Sequence, residues 1–113
     1  MTVYYGERAL SMTYSDEELN KKIGIFIQDR IKEGHKSFSY KALCYVLFRE
    51  AQEEKCLLMD NGAVYNNPVM ADADATRISL LLWQRIWNRE IFIDFHENKY
   101  ATNYHDDTRF GII

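Results

Sequence analysis

Residues 74–95, DATRISLLLWQRIWNREIFIDF, change hydrophobic period partway through, and that change organises the reading of the whole chain. Ile78, Leu82, Trp83, Ile86 and Trp87 recur at helical spacing, which predicts a third helix running to about Arg89 with these five turned toward the core. Beyond Arg89 the run Ile91, Phe92, Ile93, Asp94, Phe95 is β-branched and aromatic, as suits a strand. On this helical wheel the opposite face carries Arg77, Leu81, Gln84, Arg85 and Asn88, the side-chain types that reach base edges and phosphates in a DNA groove.

Working outward, the polar stretch 96–108 reads as a loop, and residues 109–113 return as an antiparallel partner for 91–95. Upstream, YNNPVMADAD around the only proline, Pro68, reads as a turn-rich connection with Asp72 or Asp74 as the helix N-cap. Two earlier helices are signalled at their starts. Ser15 and Glu18 form a capping box with Tyr14 and Leu19 as its hydrophobic staple, and Leu19, Ile23, Phe26, Ile27 and Ile31 supply the core stripe until Gly34 ends the helix. Ser39 caps the second helix, with Phe38 and Leu43 as staple. Leu43, Val46, Leu47, Ala51 and Leu58 carry one face to about Met59, before Asn61-Gly62. A competing reading pairs residues 57–59 and 63–65 as a hairpin across Asp60-Asn61-Gly62. Residues 1–14, with a β-like patch at 2–5, form an N-terminal arm or an edge strand outside the domain at 15–113.

A chain of 113 residues, 47% hydrophobic and 14% aromatic, is one globular domain with a substantial core. Its formal net charge of −3 argues against coating nucleic acid by bulk charge. Cys44 and Cys56 make neither a disulfide framework nor a metal cluster. A helix spanning both would hold them about 18 Å apart, too far for a bridge. No apolar run reaches the length of a membrane span and the first residues do not have the pattern of a secretory signal, so a cytoplasmic location is expected.

Three helices followed by a β-hairpin, with the third helix feeding the first strand, resembles the winged helix-turn-helix superfamily over residues 15–113, most specifically in RISLLLWQRIWNREIFIDF. The resemblance implies an α+β winged helix with a C-terminal β-hairpin wing, the third helix recognising DNA and the loop between the last strands forming the wing. Carried over by position, Arg77, Gln84, Arg85 and Asn88 become recognition contacts, and Asn98, Lys99 and Asn103 wing contacts. Two departures stand out: the turn Asn88-Arg89-Glu90 lacks a glycine, and from Arg77 to Arg109 five basic residues face five acidic ones.

The implied function is a regulatory protein that binds duplex DNA, as a dimer because one module makes few phosphate contacts. The alternative is a winged-helix interaction module or accessory subunit, with Leu81 in a protein interface. Asp94, His96, His105, Asp106 and Asp107 could gather as metal ligands, but their spacing matches no compact metal motif. With no nucleophile elbow, cysteine–histidine signature or glycine-rich phosphate loop, the chain reads as non-enzymatic, without metal or cofactor.

Overall fold

The hydroxyl of Ser15 accepts the backbone N–H of Glu18 at 3.1 Å and lies 3.1 Å from its carboxylate, which starts the first helix, α1 (Asp16–Lys32), where the capping box predicts. The structure is a computed structural model, described here for residues 3–58, 63–94 and 108–113. The helix ends on Gly34 at φ 84°, whose N–H binds the Ile31 carbonyl while the His35 N–H reaches back to Arg30. Leu19, Ile23, Phe26 and Ile27 are buried as expected, whereas Ile31, the next-to-last residue of the helix, is exposed.

A short strand, β2 (Ser37–Ser39), leads into α2 (Tyr40–Glu53), and Ser39 caps it by accepting the Ala42 N–H at 3.1 Å. This helix stops six residues before the expected Met59. Lys55 takes the left-handed conformation at φ 58°, with the Lys55 and Cys56 N–H groups bonded to Gln52 and Ala51. That is the hydrogen-bond pattern seen at Gly34, made without glycine. Leu57 and Leu58 then leave the helix to form β3 (Leu57–Leu58) against the N-terminal strand. Cys56 therefore lies outside the helix and the helical-distance argument against a bridge lapses, but no disulfide joins the two cysteines.

The N-terminal stretch is neither an arm nor an edge strand. It is β1 (Val3–Met12), the middle strand of a sheet ordered β3-β1-β4, antiparallel to β3 and parallel to β4 (Ala63–Met70). The competing hairpin is corrected in the same way: segments on both sides of 59–62 are strands, but β1 lies between them. Most of the connection around Pro68 is β4. Proline, which has no N–H to give a ladder, is tolerated there because β4 is an edge strand.

The third helix, α3 (Asp72–Trp87), has Ala71 at its N-cap with no side-chain cap, so neither Asp72 nor Asp74 holds that position. The buried Asp74 instead accepts the Met12 N–H at 2.7 Å and ties α3 to β1. At the other end Arg89 takes the left-handed position, φ 61°, with the Arg89 and Glu90 N–H groups bonded to Ile86 and Arg85.

The expected C-terminal pairing is present: β5 (Ile91–Ile93) and β6 (Arg109–Ile112) run antiparallel, and β2 joins β6 on its far side, giving the order β2-β6-β5. Among the described residues the fold is therefore α+β, three helices and a small antiparallel three-stranded sheet, extended by the β3-β1-β4 sheet. Phe38 packs edge-on against Phe26 and stacks on Phe110, which locks α1 to the antiparallel sheet. Among the described residues no helix is long and apolar enough to cross a membrane.

Candidate functional site

The third helix is rotated from the orientation its apolar spacing predicts. Ile78, Leu81 and Leu82 are in the core with Asp74, and Leu81, expected at a protein interface, is only 7% exposed. Trp83 and Trp87, expected inside, are 52% and 85% exposed, and Leu80 is 59% exposed. The helix is apolar on two sides, so apolar spacing alone could not choose between them. Polar side chains with matching partners chose.

Arg77 and Arg85 sit on the inward side and are bound within the domain. The Arg77 guanidinium pairs with Asp16 at 2.7 Å and Asp74 at 3.1 Å and donates to the Tyr14 carbonyl. Arg85 donates to both the carbonyl and the side-chain oxygen of Asn20 at 3.0 Å and pairs with Glu90 at 3.2 Å. Gly24 of α1 makes room for it, since a Cβ there would stand 3.1 Å from Arg85 Nη2. The Arg77 and Arg85 side chains are 26% and 15% exposed, so neither projects as a DNA contact would. Gln84 and Asn88 are exposed as predicted, while Asn98, Lys99 and Asn103 lie outside the described residues.

What the helix presents outward is a row of Ala73, Thr76, Leu80, Trp83, Gln84 and Trp87, with Asp72 the one charged residue among the exposed positions of α3. The row has no cation for a phosphate. It has two large aromatic rings instead. The signal that could have revealed it lies in the inward set: Asp74, Arg77 and Arg85 share a face at helical spacing, and Asp74 stands three residues before Arg77, near enough to pair with it.

A second polar cluster joins α1 to the end of α2. Lys22 Nζ lies 3.2 Å from Glu50, 2.8 Å from Glu54 and 4.8 Å above the Tyr14 ring. The hydrogen bond to Glu54 holds the Lys22 pKa well above the usual lysine range and lowers that of Glu54, and burial pushes Tyr14 up to about 12. None of the three titrates near neutral pH, so the cluster is an internal tie and not an acid–base centre. Of the five residues weighed as metal ligands only Asp94 lies among the described residues, and within those no group of three or more histidine, cysteine or acidic side chains could hold an ion.

No family model matches the chain, and no curated protein or solved structure matches it.

Proposed function

We propose that this domain is a winged helix that acts as a protein-interaction module, with Leu80, Trp83 and Trp87 of α3 as its anchor residues. The winged-helix part of the reading is supported by the order α1, α2, α3, β5, β6 and the antiparallel pairing of β5 with β6. The interaction part is carried by one observation, the 85% exposure of Trp87 at the C-terminal end of an almost uncharged outer face of α3. Leu80, Trp83 and Trp87 together leave about 400 Å² of apolar surface in water, the size of patch that in a monomer usually serves binding. Tryptophan is also the residue type most enriched among interface anchors.

DNA recognition loses support from the same geometry. Arg77 and Arg85 are engaged inside the domain, and the exposed positions of α3 offer phosphate no cation. A cytoplasmic setting fits Cys44 and Cys56, neither of which is in a disulfide.

The test measures binding to random duplex DNA across a salt series, together with function in the native host. Wild type is expected to show no steep salt dependence, and Trp83→Ser with Trp87→Ser to abolish host function while the circular dichroism spectrum and melting temperature are retained. Duplex binding that weakens steeply with salt and depends on Arg77, Arg85 or Lys99 would overturn this reading in favour of DNA.

A further inference from the structure

The outward residues Ala73, Thr76, Leu80, Trp83 and Trp87 are spaced three, four, three and four apart. That is the spacing with which one helix lies lengthwise along another. The seam is also graded: its first half is small, Leu80 stands at the middle, and both tryptophans crowd the second half.

Such a wedge has one simple complement, which is itself reversed. A parallel copy would press tryptophan on tryptophan at one end and leave a gap beside the alanines at the other. An antiparallel copy lays Trp83 and Trp87 over the Ala73–Thr76 half of its partner at both ends, so large residues meet small ones throughout. The same apposition brings the exposed Asp72, at the start of α3, toward the exposed Arg89 just past the end of the partner helix, and the twofold axis repeats that contact. The opposed helix dipoles favour it as well. The three large side chains supply about half of the roughly 800 Å² per partner that a standard interface buries, which fits a reversible dimer.

We infer that α3 pairs antiparallel with α3 of a second copy of this chain, about a twofold axis near Leu80. This rests on the interaction-module reading and names its occupant.

Sedimentation of the full chain from about 1 to about 200 µM, the range of a modest self-association, tests it. Wild type should pass from the 13.4 kDa monomer to a dimer, and Trp87→Glu should stay monomeric over the range with an unchanged circular dichroism spectrum. Thr76→Trp should weaken the dimer about tenfold or more by filling the small half of the seam, and Thr76→Trp with Trp83→Thr should restore it to within a few-fold. Asp72→Arg should weaken it a few-fold and Arg89→Asp in the same chain should recover the loss.

A wild type monomeric throughout, a Trp87→Glu protein that dimerises normally, or a Thr76→Trp protein that dimerises more tightly would each overturn the inference. The two readings fail differently. A monomer that binds no duplex and still loses host function on Trp83→Ser with Trp87→Ser overturns the second copy and leaves the module with another occupant. Salt-steep duplex binding overturns the module itself, whatever its oligomeric state.

Discussion

On its inward side α3 carries Asp74, Arg77 and Arg85 among Ile78, Leu81 and Leu82; on its outward side it carries Leu80, Trp83 and Trp87 with no charge beyond Asp72. Charge is drawn in and aromatic surface is left out. The inward charges are tolerated because each meets a complement: Asp74 a backbone N–H and a guanidinium, Arg77 two carboxylates and a carbonyl, Arg85 an asparagine and Glu90. The outward tryptophans stand largely in water, Trp83 at 52% and Trp87 at 85% exposure. A helix turns toward the side whose polar groups find partners, and the apolar side that loses the contest becomes surface to be used elsewhere.

The largest effect that could break this contrast is at Asp74. Asp74→Ala strands the Met12 N–H and removes one partner of Arg77, and urea unfolding should show a loss of about 3–5 kcal/mol. A near-neutral result would mean that the inward charges contribute little to the helix orientation. Leu81→Ala should cost about 3 kcal/mol by leaving a cavity in the core, where an interface leucine would cost almost nothing to folding.

The inward contacts also reach Tyr14, whose carbonyl receives Arg77 and whose ring lies under Lys22. Both Tyr14 and Lys22 have pKa values raised by the fold, so the stability they confer is complete below pH 10 and falls as pH rises, because the unfolded chain then gives up its protons first. Melting temperatures should fall from pH 10 toward 12, and less steeply for Tyr14→Phe.

A smaller effect tests the seat of Arg85. Gly24→Ala should stabilise an Arg85→Met background by about 0.5–1 kcal/mol, the usual penalty for glycine within a helix, and the wild type by less, because Arg85 must shift to admit the new methyl group. A double-mutant cycle with no coupling would place the guanidinium elsewhere. The smallest effect belongs to the outward face: at a concentration where the chain is monomeric, Trp87→Ala should change stability by no more than about 0.5 kcal/mol. A loss near that of Leu81→Ala would invert the comparison.

The starts of α1 and α2 and the β5–β6 pairing were legible because local chemistry specifies them: a serine three residues before the amide it caps, and a β-branched run before a polar loop. The end of α2 was not, whereas α3 ends within two residues of the expected Arg89. Lys55 and Arg89 hold left-handed positions that glycine usually signals, at a cost of about 1–2 kcal/mol each which only the surrounding structure can offset. β1 and β4 were legible only in part, as a β-like patch at 2–5 and one arm of the alternative hairpin at 63–65, because their partners lie far along the chain and neither carries its reason locally. At the candidate site, Gln84 and Asn88 were placed outward correctly, while Arg77, Arg85, Leu81 and the tryptophans were reversed together, as one rotation of a helix requires.

The parallel pairing of β1 with β4 joins residues sixty positions apart at every step, from Val3 with Ala63 to Leu10 with Met70. Closing a loop of that length costs about 3–4 kcal/mol of chain entropy before the first pair forms, after which the rest can zip. During synthesis β1 leaves the ribosome sixty residues ahead of β4, which at ordinary elongation rates is a wait of about 3–12 s. The strand at the centre of its sheet is thus made well before the neighbour that completes it, and translation speed becomes a variable in how this domain is assembled.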